Sequence, residues 1–256
     1  WIQLTPDGSE LLGQALSLCD LTDGALDITA YPAVASWGFP TGEYQVLTEE
    51  ECARLQSWID YSAVEWMEDS AQARMPVDMA VDLGGVAKGY AGDKLAALLD
   101  ELGIDSALLD LGQSTIQAIG TKPDGTPWRV GVQDPKGESY LGVLELADCG
   151  MGTSGSYQRF FERDGVTYCH IIDPATAAPA RSGLESVTVV ARSGLLCDGL
   201  STALFVMGLE EATAFWRSHP ELEFEQESIE RALRRMLDDP ERGLVPLGRK
   251  DAHTSR

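Results

Sequence analysis

Apolar residues recur at helical spacing in five segments of the chain. The first covers residues 9–19. The second is predicted over residues 48–67, because Thr48 followed by Glu51 forms a capping-box pattern at its start. The other three helices are predicted over residues 86–102, 198–207 and 228–239.

Shorter runs rich in β-branched and aromatic residues alternate with Gly, Pro and Asp, and they predict strands. Asp164-Gly165 lies between two such runs and is typical of a hairpin turn. The predicted strands cover residues 79–83, 107–111, 115–119, 128–133, 141–146, 157–163, 166–172 and 186–191. Helices mixed with antiparallel hairpins indicate an α+β fold. We expect one domain over residues 1–222 and a charged helical tail over residues 223–256.

Composition narrows the possible functions. The chain has 256 residues, which is enough to bury a sizeable core. Its 41 acidic and 19 basic side chains give a formal net charge of −22, which argues against nucleic acid or an anionic membrane as a partner. A nucleotide is still allowed, because it needs only a local pocket. The five cysteines, without a C-x-x-C pair, favour buried free thiols over a zinc site or a disulfide framework.

A strand-to-helix junction with paired glycines is the first candidate site. It runs from Asp82 to Lys88 as DLGGVAK. Glycines allow close approach to the backbone, and a helix N-terminus favours phosphate. The pattern matches neither the Walker nor the dinucleotide motif, so a tight turn with a surface lysine is the alternative.

Two further candidates lie in the second half of the chain. Asp198 and Thr202 are four residues apart on one helix face, and their oxygens could form part of a Mg²⁺ site. The alternative is a helix cap with a threonine that bonds back to the backbone. His170 at the end of a strand could be catalytic or structural. Ser154 lacks the strand–elbow–helix context of a hydrolase nucleophile.

Taken together, the motifs resemble the ApbE family of FAD:protein FMN transferases. The matching segments cover most of the chain and occur in the family's order: TDGALD (22–27), WGF (37–39), DLGGVAKGYA (82–91), PWRVGVQDP (127–135), TSGSYQRFF (153–161), HIIDP (170–174) and DGLSTALFVMG (198–208). Several specific motifs in one order make a chance match improbable.

The resemblance implies a single α+β, T-fold-like domain with antiparallel sheets and packed helices. It also implies a Mg²⁺-dependent enzyme that splits FAD and transfers FMN to a Thr or Ser hydroxyl of an acceptor protein, with release of AMP. Typical acceptors are subunits of membrane redox complexes. Most family members work outside the cytoplasm, in the periplasm or at the cell surface, and they are often lipid-anchored.

The resemblance also assigns roles to individual residues. Asp198, Thr202 and the backbone carbonyl of Gly85 correspond to metal ligands, with Asp198 counted as catalytic together with His170, the general base for the acceptor hydroxyl. The positions implied for FAD binding are Ala25, Leu26, Asp27, Asp82, Lys88 and Ile172. Arg159 and Ser154 lie in a family motif without an assigned role.

Three features depart from the family pattern. Residue 1 lies beyond the family's first strands, which include a Met-Gly-Thr segment near the flavin, and no signal peptide is evident, so we expect one to be absent or removed. Two family Gly-containing turns read Gly112-Gln113 and Thr176-Ala177 here, which restricts positive φ. The charged tail replaces terminal strands.

Two alternative functions use the same motifs. A Mg²⁺-dependent FAD pyrophosphatase would replace the acceptor hydroxyl by water and yield FMN and AMP. A non-catalytic FAD-binding or flavin-trafficking protein would bind FAD without cleaving it. Product analysis with and without an acceptor protein distinguishes all three.

Overall fold

The computed structural model describes residues 1–137, 139–219 and 222. The helices in this part of the chain are α1 (Pro6–Leu21), α2 (Tyr31–Ser36), α3 (Glu49–Gln56), α4 (Ala87–Glu101) and α5 (Gly194–Ser218). The strands are β1 (Ile2–Gln3), β2 (Glu65–Met67), β3 (Gln72–Arg74), β4 (Ala107–Asp110), β5 (Thr115–Ile119), β6 (Trp128–Gln133), β7 (Tyr140–Leu146), β8 (Cys149–Gly155), β9 (Phe160–Arg163), β10 (Val166–Cys169), β11 (Ile172–Asp173), β12 (Ala178–Pro179) and β13 (Ser186–Ala191).

A four-stranded antiparallel sheet in the order β13-β8-β5-β4 forms the centre of the fold. Helix α5 packs on β8 and β13, while α4 packs on β5 and against α5. This packing is very close. A Cβ at Gly152 would lie 2.5 Å from the backbone of Cys197, and one at Gly89 would lie 2.0 Å from the carbonyl oxygen of Gly194. Glycine at these positions therefore lets α5 contact both β8 and the first turn of α4.

A second, aromatic cluster lies beside the sheet, where α2 and α3 meet the β9–β10 hairpin. Tyr168 stacks on Trp37 with ring centroids 5.5 Å apart and on Phe161 at 4.9 Å. The Trp37 indole donates a hydrogen bond of 2.9 Å to the carbonyl of Ala177. These contacts anchor the segment between β10 and β12, which carries His170.

The α+β prediction is confirmed. The strand pairs described are antiparallel, and β5, β6 and β13 have the predicted bounds. The hairpin turn at Asp164-Gly165 joins β9 to β10 with both residues at positive φ. The five cysteines are buried and form no disulfide bond, as predicted.

The single helix predicted over residues 48–67 is wrong. The capping box at Thr48 is present, but α3 ends at Gln56, and a 3-10 turn at Tyr61–Ala63 and strand β2 follow. Asp60 interrupts the helix with an extended backbone, since its amide donates to the Thr29 hydroxyl at 2.8 Å. This tertiary hydrogen bond, together with pairing of β2 to β3, overrides the local helical pattern.

Other bounds also differ from the predictions. Residues 79–83 form no strand ladder; their backbone is held instead by bonds such as that from the Asp82 amide to the Ile28 carbonyl, at 2.7 Å. Helix α5 begins at Gly194, four residues earlier than predicted, and helical structure resumes after Gly208, whose φ is +75°. Strand β8 was not predicted, because its glycines give a weak strand pattern.

The predicted helix over residues 228–239, and with it the tail, lies outside the described residues, so the domain boundary at 222 stays a prediction. Among the residues that the structure describes, no helix has the length and apolar character needed to cross a membrane.

Candidate active site

One cleft gathers every residue predicted for the site. It has a volume of about 330 Å³ and lies between the start of α4, the first half of α5, strand β8 and the segment after β10. The predicted residues that line it are Ala25, Leu26, Asp27, Asp82, Gly85, Lys88, His170, Ile172, Asp198 and Thr202. Residues up to 177 positions apart in the sequence thus face one space, although their individual roles stay predictions.

The glycine junction forms a tight turn that leads into α4. The Asp82 carboxylate accepts a 2.7 Å hydrogen bond from the Gly84 amide and so holds the turn. No side chain caps the start of the helix at Val86. The Lys88 ammonium, on the first turn, donates to the Ser114 hydroxyl. This wall therefore combines the positive end of a 15-residue helix with a fixed cation, which suits a phosphate group.

Asp198 is the most buried carboxylate of the cleft, with 7% of its surface exposed. One oxygen accepts from the Gly89 amide at 2.7 Å and the other from the Thr115 hydroxyl at 2.6 Å. Burial raises the pKa of this carboxyl, while the two hydrogen bonds and the charge of Lys88 oppose that rise. Among the described residues, Asp198 forms no ion pair. Its charge therefore lacks a contacting protein cation.

The oxygens around Asp198 fit a hard divalent cation. Thr202 lies one helical turn after Asp198. Gly85 is close to it, because a Cβ built on Gly85 would lie 3.8 Å from the Thr202 hydroxyl oxygen. A carboxylate, a hydroxyl and a backbone carbonyl are ligand types that Mg²⁺ takes. The described residues contain no group of three or more His, Cys, Asp or Glu side chains suited to a metal, so any cation here would depend on this mixed set.

His170 also lines the cleft. Its Nδ1 lies 3.2 Å from the carbonyl oxygen of Arg159, which can only accept, so in the neutral ring the proton is on Nδ1 and Nε2 is unprotonated. Burial, followed by the charges of Arg159 and Lys88, lowers the pKa of the imidazole below its ordinary 6.5. The neutral form, which can accept a proton, is therefore favoured at neutral pH.

Asp27 has its carboxylate already engaged within the protein. One oxygen accepts from the amide and hydroxyl of Thr29 at 2.8 and 2.6 Å, and the other accepts from the Tyr61 amide at 3.1 Å. These bonds shape the turn that presents Ala25 and Leu26 to the cleft. The backbone of this turn is thus better placed for ligand contact than the carboxylate, both of whose oxygens already accept hydrogen bonds within the protein.

Several residues of the cleft were left without a role or were missed. Arg159 donates to the carbonyl of Phe39 at 2.8 Å, and Ser154 contacts the Thr202 hydroxyl at 3.0 Å. Ser114, the residue directly before strand β5, accepts a hydrogen bond from Lys88. The motif TSGSYQRFF signalled the first two, but no local pattern marked Ser114, because its contact depends on how α4 packs against the sheet.

The two turns in which Gln113 and Ala177 replace the expected glycine have a left-handed backbone at these residues. Gln113 has φ +65° and Ala177 has φ +54°. Non-glycine residues pay a steric cost there. The expected restriction of positive φ therefore appears as local backbone strain at these two residues.

Known proteins provide the remaining comparison. The sequence profile of the ApbE family matches residues 1–224. The chain is 33% identical over 219 residues to the FAD:protein FMN transferase of Haemophilus influenzae and 38% identical over 207 residues to that of Vibrio cholerae. These alignments cover 82% and 78% of this chain but 63% and 61% of the relatives, so the chain spans about 60% of their length.

A solved structure gives the same result. The fold matches the crystal structure of the ApbE protein of Thermotoga maritima with a TM-score of 0.81 and 31% identity, over 86% of this chain and 72% of the other. The family profile covers most of the chain, the sequence relatives carry one name, and the folds agree. The chain belongs to the ApbE family.

Proposed function

We propose that this protein transfers FMN from FAD to a Thr or Ser hydroxyl of an acceptor protein and releases AMP. One observation carries the proposal. The cleft is lined by His170, which is neutral with Nε2 unprotonated, and by Lys88, which lies at a helix N-terminus. It is also lined by Asp198, Thr202 and Gly85, whose oxygens are of the types that bind a divalent cation. The names of the similar proteins from H. influenzae and V. cholerae supply the reaction class.

His170 acts as the general base. Its Nδ1–H is held by the Arg159 carbonyl, so Nε2 accepts the proton of the acceptor hydroxyl. The oxygen then forms a bond to the phosphorus of the FMN half, the bond from that phosphorus to the bridging oxygen breaks, and the bridging oxygen leaves with AMP. A positioned base of this kind contributes about 10²–10⁴-fold to a rate.

The start of α4 binds the pyrophosphate. Lys88 is held by Ser114, so its ammonium is oriented before the substrate arrives. The positive helix end adds to its field. These groups stabilise the negative charge that develops on the leaving phosphate.

Mg²⁺ is proposed as the cofactor, with Asp198, Thr202 and the Gly85 carbonyl as its protein ligands. Such a cation supplies charge neutralisation of the pyrophosphate oxygens. The buried carboxylate without an ion-pair partner supports this assignment. Its attachment to α4 and β5 through Gly89 and Thr115 keeps it beside Lys88.

The acceptor and the compartment are proposed on the family resemblance. We propose an acceptor subunit of a membrane redox complex and a site of action outside the cytoplasm. The net charge of −22 supports an acceptor other than nucleic acid. Fractionation of cells that make the native protein tests the compartment, and recovery only in the cytoplasm would reject it.

One assay tests the reaction. The chain is incubated with FAD, Mg²⁺ and a redox-complex subunit that carries an unmodified Thr or Ser site, and AMP and protein-bound flavin fluorescence are measured. Transfer yields both in equal amounts, and the acceptor's Thr→Ala variant yields neither. AMP with free FMN in place of labelled acceptor would show a pyrophosphatase. Bound FAD without AMP would show a carrier and reject the proposed transfer.

A further inference from the structure

A hydroxyl behind the cleft holds the carboxylate of Asp198. Thr115 is 1% exposed and does not line the cleft, so it cannot reach a ligand there. Its hydroxyl lies 2.6 Å from one carboxylate oxygen of Asp198. The other oxygen is held by the Gly89 amide at 2.7 Å. A carboxylate offers about four acceptor positions. The two interior ones are therefore occupied, and those toward the cleft are left for a ligand.

A second hydroxyl performs the same task for Thr202. Ser154 lies 2.9 Å from the Ser201 hydroxyl and 3.0 Å from the Thr202 hydroxyl. Ser201 and Thr202 also lie 2.9 and 3.3 Å from the Asp198 carbonyl oxygen. These four contacts involve the hydroxyls of Ser154, Ser201 and Thr202, so only three protons can be donated.

The three shortest contacts use all three protons. Ser201 donates to the Asp198 carbonyl, Ser154 donates to Ser201, and Thr202 donates to Ser154. The 3.3 Å contact is then left without a proton. In this arrangement the Thr202 oxygen donates its proton to Ser154 and keeps both lone pairs for a cation.

From these contacts we infer that Thr115 and Ser154 are positioning residues for the cation site, with Thr115 orienting the Asp198 carboxylate and Ser154 orienting the Thr202 hydroxyl. The inference rests on the proposed function, because it assumes that Asp198 and Thr202 bind a cation. Groups that hold metal ligands from behind determine their orientation, and their loss commonly weakens metal binding 10–100-fold.

The experiment measures cation affinity directly. Mn²⁺ is titrated into the full chain, and the free ion is followed by electron paramagnetic resonance, so the readout does not depend on turnover. Thr115→Val keeps the shape of the side chain but removes its hydroxyl, and Ser154→Ala does the same for the second residue. Thr115→Ser restores the donor. Thr188→Val is the matched control, since its hydroxyl pairs with Thr153 at 2.9 Å on the same sheet without lining the cleft.

We expect Thr115→Val and Ser154→Ala each to weaken Mn²⁺ binding about 10–100-fold. Thr115→Ser and Thr188→Val should bind Mn²⁺ with an affinity within about threefold of that of the unaltered chain. A general destabilisation of the sheet would not produce this difference between the variants. Unfolding in urea identifies any variant that is not folded, and if Thr115→Val is not folded, Ser154→Ala tests the inference.

Two different failures are distinguishable. If Asp198→Asn loses Mn²⁺ but folded Thr115→Val and Ser154→Ala bind it normally, the positioning roles are wrong and the cation site stands. If Asp198→Asn binds Mn²⁺ as well as the unaltered chain, the cation site itself is wrong, and the inference is overturned with it.

Discussion

Asp198→Asn and Asp198→Ala should affect stability very differently, although both remove the charge. Asp198→Ala leaves the Gly89 amide and the Thr115 hydroxyl without their acceptors in a site that is 7% exposed. Each unsatisfied buried donor costs about 1–3 kcal/mol, so the expected loss in free energy of unfolding is about 2–6 kcal/mol. Asn retains both contacts, because its carbonyl accepts from Gly89 and its amide donates to the Thr115 oxygen. We expect it to stay within about 1 kcal/mol of the unaltered chain.

The difference in stability between Asp198→Asn and the unaltered chain should depend on pH. The folded-state pKa of Asp198 lies above the ordinary value of 3.8, because burial disfavours the charged form. Ionisation of this carboxyl therefore opposes folding. This destabilisation is absent well below pH 3.8, because the carboxyl is protonated in both the folded and the unfolded state. It reaches its full size above the folded-state pKa. The stability of Asp198→Asn relative to the unaltered chain should therefore rise with pH across this window.

Bound Mg²⁺ should make the unaltered chain more stable than Asp198→Asn. At a Mg²⁺ concentration 100 times its dissociation constant, the unaltered chain gains about 2.7 kcal/mol, and Asp198→Asn gains far less. The assay is urea unfolding followed by the fluorescence of the chain's six tryptophans, with and without Mg²⁺. Equal stability of Asp198→Ala and the unaltered chain would refute the hydrogen-bond argument. An equal Mg²⁺ gain for Asp198→Asn would refute its role as a ligand.

The remaining predictions concern the base and the strained turns. His170→Asn should slow transfer by about 10²–10⁴-fold with little change in FAD affinity, measured by single-turnover kinetics and fluorescence titration; a collapse in affinity would make His170 a binding residue. Because burial and then the charges of Arg159 and Lys88 lower the pKa of His170, the acid limb of the pH–rate profile should lie below 6.5, and Lys88→Met should move it upward. An acid limb above 6.5 in the unaltered chain contradicts this. Gln113→Gly should raise the free energy of unfolding by about 0.5–1 kcal/mol, since relief of left-handed strain outweighs the added entropy of the unfolded chain. Ala177→Gly relieves similar strain but loses a buried methyl group worth about 0.8 kcal/mol, so it should be nearly neutral. A similar gain in stability from both substitutions, measured by urea unfolding, would contradict the strain argument.

Local sequence patterns predicted some elements well and others badly. The bounds of strands β5, β6 and β13 match the predicted ones. The segment over 48–67 has a helical pattern and a capping box, yet α3 ends at Gln56. The bond from Asp60 to Thr29 decides this, and it joins residues 31 positions apart. No local pattern contains that contact.

The site shows the same division. Individually, the glycine junction, the Asp198–Thr202 pair and His170 each allowed a structural interpretation. Their order along the chain identified the family, and the ten assigned residues line one cleft. Residues that act through these groups, such as Thr115, were not found, because their position depends on how β5 packs against α5.

The sequence by itself therefore determined the α+β class, the family and the identity of the groups in the cleft, because residue types and their order carry that information. Tertiary structure alone decided the environment of those groups. It buries Asp198 against two donors, places the proton of neutral His170 on Nδ1, and holds Lys88 with Ser114. Burial and hydrogen bonding set protonation and orientation, and both depend on contacts between segments that are distant in the chain.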